Sequence, residues 1–197
     1  MRNSRIIPVA LILIIIAIAI AALITLARAV FFSDTTQTVS DVDTSRTALL
    51  NTAVDHSVTM TVRGSIVADE QFRSYRIAIT PTTRTLTTYT GYLDKQIDQI
   101  NLANNTTAYE EFIYALEKAN YVKGSELTGD ENDRRGICAT GKVYEFGTLT
   151  AGKSVKTLWT TSCSNAKGSL NASVTALTAL FLKQVPDSPI TVYKIGL

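Results

Sequence analysis

The strongest hydrophobic pattern in the sequence is an uncharged run that begins at Ile6 and ends at Ala27. A helix of these 22 residues would be about 33 Å long, which is enough to cross a hydrocarbon core of about 30 Å. Core helices of soluble domains usually keep a polar stripe, and this run has none. The run therefore predicts a transmembrane helix, with the lipid bilayer as its partner.

Two processing outcomes fit this segment, an uncleaved signal-anchor and a cleaved secretory signal. Arg2 and Arg5 precede the run and Ala27-Arg28-Ala29 ends it, which matches the basic start and small-residue end of a cleavable signal. The run is longer than the roughly 7–15 apolar residues of such signals, so an uncleaved anchor is the prediction. The basic residues lie mainly before the run, so the N-terminus is expected to be cytoplasmic. Secretion after cleavage following Ala29 is the alternative.

Beyond residues 1–32, the cytoplasmic stub and anchor, the pattern predicts a linker and one extracytoplasmic domain. Residues 33–44 are polar and have little to bury, so they are expected to form the linker, and residues 45–197 the domain. A short helix is expected between Ser45 and Val54. Alternation of apolar and polar residues predicts two half-buried strands, one with Val58, Met60 and Val62 and one with Tyr75, Ile77 and Ile79. A third strand is expected between Arg84 and Tyr92, and the segment up to Leu102 is ambiguous between strand and helix.

Two helices are predicted in the second half of the domain. Thr107 and Glu110 have the spacing of a capping box, in which each side chain satisfies a backbone donor at the other position. The apolar residues on the buried face of this helix are expected to be Tyr109, Phe112, Ile113, Leu116 and Ala119. Gly124 is expected to end the helix. The second helix is expected between Asn171 and Gln184, and the segment between Ile190 and Ile195 is expected to form a closing strand.

The two cysteines, Cys138 and Cys163, are expected to form one structural disulfide across an antiparallel hairpin. Their flanks alternate, and folding about residues 149–152 makes the paired residue numbers sum to 301. The resulting cross-strand pairs include Cys138 with Cys163, Lys142 with Trp159, and Phe146 with Val155. Disulfides persist in oxidising compartments, which agrees with export. Two free buried thiols are the alternative, and zinc is a poor explanation because the chain has only three Cys and His residues.

Together these elements predict an α+β fold, in which one N-terminal transmembrane helix precedes a single domain of mainly antiparallel strands with two or three helices. In outline this layout resembles type IV pilins and pseudopilins, which also have a hydrophobic N-terminal helix, an α+β head and a disulfide near the C-terminus. The resemblance covers the layout and no motif. Arg5-Ile6-Ile7-Pro8 replaces a leader ending in Gly, and the apolar run lacks the acidic residue that pilins use for assembly. The resemblance implies a surface assembly subunit as one alternative function.

Charge argues against nucleic acid as a partner. The chain has 19 Lys and Arg against 17 Asp and Glu, and removing Arg2, Arg5 and Arg28 at the anchor leaves 16 basic residues (19 − 3 = 16). A protein that neutralises phosphates needs clustered positive charge. The only adjacent basic pair, Arg134-Arg135, is surrounded by acidic residues. The domain is therefore not expected to bind DNA or RNA.

The sequence contains no recognisable catalytic motif and predicts no cofactor. His56, the only histidine, follows Asp55, but catalytic triads need side chains that converge from separate elements. His56 is expected to be an ordinary residue at a helix-to-strand junction. The acidic segment that begins at Asp130 fails as an EF-hand, since Arg134 and Arg135 occupy positions that need an oxygen ligand and Gly. The chain is therefore interpreted as non-enzymatic, without a catalytic, cofactor-binding or metal site.

Threonine and tyrosine are abundant, with 28 and 8 residues, and both can supply hydroxyls on exposed strand faces. They also simply favour strands. The candidate binding face consists of Thr85, Thr87, Tyr89 and Tyr92. The functional prediction is a membrane-anchored envelope protein whose outer domain binds a protein or a surface polymer such as a polysaccharide. An unrecognised envelope hydrolase is the rival, and it would require His56 to lie in a cleft against a carboxylate and a hydroxyl.

Overall fold

The computed structural model describes residues 16, 18, 20, 38–166 and 168–197. The chain divides into two compact units, residues 1–41 and residues 42–197. The predicted anchor, from Ile6 to Ala27, lies outside the described residues except at Ile16, Ile18 and Ile20, which are helical and exposed. Among the residues that are described, no helix is both long and apolar enough to cross a membrane.

The second unit is built on one six-stranded antiparallel sheet. Its strands are β1 (His56–Arg63), β2 (Arg73–Ile79), β3 (Thr83–Thr90), β4 (Lys95–Ala103), β5 (Val143–Thr150) and β6 (Lys153–Thr161). The described helices are α1 (Thr38–Leu49), α2 (Thr106–Lys118), α3 (Val174–Gln184) and α4 (Ser188–Lys194). The strand order is β4-β3-β2-β1-β5-β6, so β1 pairs with both β2 and β5 at the centre. The predicted α+β class with mainly antiparallel strands is confirmed.

One face of the sheet is apolar and carries the core. A row of paired residues crosses all six strands on this face and consists of Ile100, Leu86, Ile77, Met60, Phe146 and Leu158. Apart from the partly buried Ile100, these side chains are 0–2% exposed. The buried residues of α2 and α3 pack on the same face, because Phe181 of α3 contacts Phe146 of β5 and Phe112 of α2. The alternation that predicted β1 and β2 therefore results from burial of one sheet face.

The segments that precede β1 and follow β6 in the sequence differ from the sequence prediction. The helix α1 begins at Thr38, inside the predicted polar linker of residues 33–44, and ends at Leu49 rather than near Val54. Leu49 is fully buried and Arg46 pairs with Glu117 of α2 at 2.9 Å, so tertiary contacts stabilise a helix that a polar sequence does not favour.

The predicted closing strand between Ile190 and Ile195 is wrong, because this segment forms α4. Pro189 lies in the first turn of α4, where its fixed backbone angle favours a helix and its missing N–H costs nothing. Val192 is buried, whereas Ile190 and Tyr193 are exposed. The apolar residues that suggested a strand therefore do not share one buried face.

The helix α2 has the predicted buried face but different ends. Asn105 caps it, since its side-chain oxygen accepts a hydrogen bond from the Ala108 backbone N–H at 2.9 Å. The predicted cap, Thr107, lies inside the helix. At the other end the chain turns at Asn120, which has a φ of 61°, and the Tyr121 N–H donates to the Leu116 carbonyl at 3.0 Å. Asn can adopt this left-handed conformation, so the helix ends at Lys118, well before the predicted stop at Gly124.

Replacing Asn105 with Ala is expected to lower the free energy of unfolding by about 1 kcal/mol, because the Ala108 N–H loses its acceptor. Urea unfolding of the full chain in detergent measures this loss. The matched control is Thr107→Ala, which removes a hydroxyl from inside the helix and should cost less. A larger loss in Thr107→Ala would restore the predicted capping box and contradict the Asn105 cap.

The predicted disulfide is confirmed, but the predicted register of its hairpin is wrong. Cys138 and Cys163 are bonded, with their Cα atoms 5.7 Å apart. In the β5–β6 hairpin, however, Phe146 pairs with Leu158 and Glu145 pairs with Trp159. The turn is the two-residue Ala151-Gly152, whose φ values are 50° and 74°, and a bulge follows Thr148. Relative to the predicted pairing, every residue of β5 pairs with a residue two or three positions further along β6. Both cysteines lie beyond the ends of the two strands.

Candidate functional site

The face of the sheet opposite the core, which we call the outer face, carries the polar positions of each strand. On β1 these include Thr61 and Arg63, and their partners on β2 are Arg76 and Ser74. On the other side, Glu145 of β5 lies opposite Thr61. Charged and hydroxyl side chains from three central strands are therefore neighbours on this face.

A loop of residues 132–138 lies over part of the outer face and forms a cleft with it. The cleft has a volume of about 680 Å³, which is in the range of ligand pockets. We call it the arginine cleft, because its four arginines are Arg63 and Arg76 on the sheet and Arg134 and Arg135 on the loop.

The loop is fixed to the sheet by specific contacts. Trp159 is almost fully buried and its Nε1 donates to Asn132 Oδ1 at 2.9 Å. The Cys138–Cys163 disulfide ties the other end of the loop beyond β6. A side chain at Gly141 would place its Cβ 2.7 Å from the Cys138 sulfur, so a larger residue here would displace the disulfide. The sequence had assigned Trp159 to a contact with Lys142, whereas its ring helps to position the loop.

Three carboxylates in the cleft are engaged by three of its arginines. Arg134 pairs with Glu145, Arg135 pairs with Asp133, and Arg63 pairs with Asp94 at 3.5 Å. Hydrogen bonds from Arg135 lower the pKa of Asp133 to about 2. Burial lowers the pKa of Arg134, and the nearby positive charge of Arg63 lowers it further.

Arg76 is the fourth arginine of the cleft, and it has no carboxylate partner in the part of the chain that the structure describes. Its Nε donates to Thr61 Oγ1 at 3.0 Å on the neighbouring strand. Counting the cleft alone, four guanidinium groups face three carboxylates, so the cleft carries one excess positive charge.

Aromatic rings form one side of the cleft. Phe72 and Tyr92 are stacked with their centroids 4.1 Å apart, and the Arg63 guanidinium lies 5.2 Å from the centre of the Phe72 ring. The Tyr92 hydroxyl donates to the Val67 carbonyl at 2.7 Å, which holds this ring at the edge of the cleft. Tyr89 on β3 lines the cleft as well. The site therefore combines cations with aromatic surfaces.

The four residues of the predicted binding face are divided by the structure. Tyr89 and Tyr92 line the arginine cleft, whereas Thr85 and Thr87 lie on β3 outside it. Thr87 is only 8% exposed, and the Thr85 hydroxyl donates to Asn101 Oδ1 at 3.2 Å. The two tyrosines therefore line the cleft and the two threonines do not, although Thr87 pairs with Arg76 on the neighbouring strand.

Sequence reasoning missed the arginines. Arg63 and Arg76 occupy polar positions in the alternation of β1 and β2, so their common face was readable from the sequence once the strands were paired. Arg134 stands in the acidic segment that begins at Asp130, which the sequence shows only to fail as an EF-hand. Its contact with Glu145 depends on how the loop folds back over β5, which no local pattern encodes.

His56 lies in the core rather than in the cleft. Its side chain is fully buried, and its Nδ1 lies 3.0 Å from the hydroxyl oxygen of Tyr109 on α2. Burial lowers the pKa of His56, and the negative charge of Asp55 and the backbone of Ala48 nearby oppose this effect only in part. The folded protein therefore favours the neutral imidazole.

Acidification below pH 6.5 is expected to destabilise the domain through His56. The unfolded side chain ionises at its ordinary pKa of 6.5, whereas the folded one stays neutral to lower pH. The unfolded state then binds more protons, so the free energy of unfolding falls with pH, by at most about 1.4 kcal/mol per pH unit. Urea unfolding at several pH values between about 7.5 and 5.5 measures this slope. His56→Gln removes the titrating group, and an equally steep slope in that variant would assign the effect to other residues.

Within the described residues, no group of three or more His, Cys, Asp and Glu side chains is placed to hold a metal ion. A comparison with models of protein families found no match, and a comparison with curated proteins found no similar sequence. The functional interpretation therefore depends on the geometry of the arginine cleft.

Proposed function

We propose that this chain is a membrane-anchored, non-enzymatic envelope protein whose outer domain binds another protein or a surface polymer through the arginine cleft. One observation carries the proposal: guanidinium groups from two strands and a disulfide-closed loop converge on one accessible cleft with aromatic rings at its side. Guanidinium groups stay protonated at physiological pH and present a fork of donors. Such groups favour recognition of a ligand over proton transfer.

The carboxylates of the cleft support the same proposal. A general acid or base works best with a pKa near the operating pH, and the pKa of Asp133 is lowered to about 2. Glu145 is paired with Arg134 and Asp94 with Arg63. The alternatives, an envelope hydrolase and a pilin-like assembly subunit, have no specific observation in their favour among the described residues.

The anchor and the extracytoplasmic placement belong to the proposal and depend on the apolar run from Ile6 to Ala27. Protease added to intact cells or spheroplasts is expected to degrade the domain and leave the N-terminal segment protected. Full protection would contradict the orientation. A mature N-terminus at Val30 would show that the chain is cleaved after Ala29 and secreted, and it would contradict the membrane anchor.

Binding through the cleft is tested by co-sedimentation of the full chain, in detergent, with envelope fragments from its own source. Native and protease-treated fragments distinguish a protein partner from a polymer. Thr61→Trp places a large ring in the floor of the cleft and is expected to abolish sedimentation. Ser57→Trp adds the same ring to the outer face of β1 away from the cleft and should have no effect. Sedimentation that survives Thr61→Trp would exclude the cleft, and its absence in the native chain would contradict the binding function.

A further inference from the structure

Arg76 differs from the other cleft arginines in its available donors. Its Nε donates to Thr61, but its two terminal nitrogens have no acceptor in the part of the chain that is described. Arg76 is exposed and lies between Ser74 and Ala78 on β2, so the donor fork is accessible from the cleft. A fork of this kind binds a carboxylate with two parallel hydrogen bonds.

The surroundings favour a negatively charged ligand. Arg63 and Arg134 line the same cleft as Arg76, and the positive charge of Arg63 adds to burial in lowering the pKa of Arg134. An anion that enters the cleft relieves the repulsion between Arg63 and Arg134. Arg63 can also bind the anion, because its ion pair with Asp94 is long, with 3.5 Å between the two charged groups.

The position of the cleft distinguishes between polymer classes. An extended peptide binds most readily at the edge of a sheet, where backbone groups are unpaired. The cleft lies instead over β1, β2 and β5, and each of these strands is paired on both sides. A ligand here therefore meets no free strand edge, and the groups that line the cleft include guanidinium groups, the three carboxylates paired with them, the hydroxyl of Thr61 and tyrosine rings. Sugar acids offer carboxylates, hydroxyls and an apolar ring face to match these groups.

We propose that the arginine cleft binds an acidic polysaccharide and that Arg76 anchors one uronate carboxylate of it. This inference rests on the proposed function and names its ligand class. The ring of the bound sugar lies towards Tyr89 and Tyr92, and Arg63 and Arg134 supply the remaining positive field.

The test measures binding of the full chain in detergent to polygalacturonate, with its methyl-esterified form and poly-L-glutamate as comparisons. Polygalacturonate is expected to bind, more weakly as salt is raised, and the two comparison polymers should bind much less. Arg76→Gln is expected to weaken binding roughly tenfold to hundredfold, and Arg76→Lys to lie between it and the native chain. Arg46→Gln is the matched control, since it removes the same charge from the α1–α2 side of the domain.

If Arg46→Gln weakened polygalacturonate binding as much as Arg76→Gln, the inference would be overturned, because binding would then depend on net charge alone. Poly-L-glutamate bound as tightly as polygalacturonate would overturn the sugar assignment and favour an acidic peptide. Absence of polygalacturonate binding would also overturn it. None of these results alone removes the proposed function, which is decided by envelope sedimentation and the Thr61→Trp variant.

Discussion

Phe181→Ala is expected to lower the free energy of unfolding by about 3–5 kcal/mol. Phe181 is fully buried on α3 and its ring contacts three other rings. The centroid distances are 5.2 Å to Phe112, 5.9 Å to Tyr121 and 6.2 Å to Phe146. Truncation removes contacts to α2, to β5 and to the segment that joins them, and these elements cannot all close the cavity together.

Urea unfolding of the full chain in detergent measures the loss. Tyr193→Ala is the matched control, because it also truncates an aromatic ring but at a position 82% exposed, and its effect should stay within about 0.5 kcal/mol. A loss below about 1 kcal/mol in Phe181→Ala would mean that α3 does not share the core of the sheet.

The second large effect is expected from the disulfide. Replacing both Cys138 and Cys163 with Ser should lower the free energy of unfolding by about 3 kcal/mol, since the bridge closes a loop across a sequence separation of 25. The double variant should also bind ligand more weakly, because the bridge holds the loop that carries Arg134 over Glu145.

Reductant provides the control for this prediction. It should shift the urea midpoint of the native chain and leave that of the double variant unchanged. A native midpoint that does not respond to reductant under unfolding conditions, together with equal thiol titration before and after reduction, would contradict the bridge in solution.

The elements that the sequence predicted well are those in which buried apolar residues recur at a short, regular spacing along the chain. Val58, Met60 and Val62 alternate because one face of β1 is covered, and Phe112 and Leu116 recur because one face of α2 is covered. In these segments the local sequence pattern agrees with the burial in the folded domain, so strand or helix could be predicted directly from the sequence.

The predictions that failed depended on turns and distant contacts. The β5–β6 register follows from a turn at Ala151-Gly152, and Ala is an unusual residue at a positive φ, so the hairpin was centred incorrectly. The segment from Ile190 to Ile195 contains β-branched residues, but packing of Val192 makes it a helix. Polar or ambiguous segments adopt the structure that the rest of the fold stabilises.

The site was only partly predictable for the same reason. Tyr89 and Tyr92 were selected because their segment is rich in hydroxyls and rings. Arg63 and Arg76 are recognised as neighbours only when the pairing of β1 with β2 is known. Arg134 joins them from a loop that follows Arg76 by 58 residues (134 − 76 = 58). Convergence of this kind is a property of topology rather than of sequence period.

The place of β1 at the centre of the sheet imposes an order on folding. Its partners β2 and β5 differ greatly in distance along the chain, since Met60 pairs with Ile77 on one side and with Phe146 on the other. Until residues 143–150 have been synthesised, β1 is an edge strand with one row of unpaired backbone groups and an apolar face. The meander of β1 to β4 is then a template for pairing with other chains, so a fragment that stops before β5 is prone to aggregate.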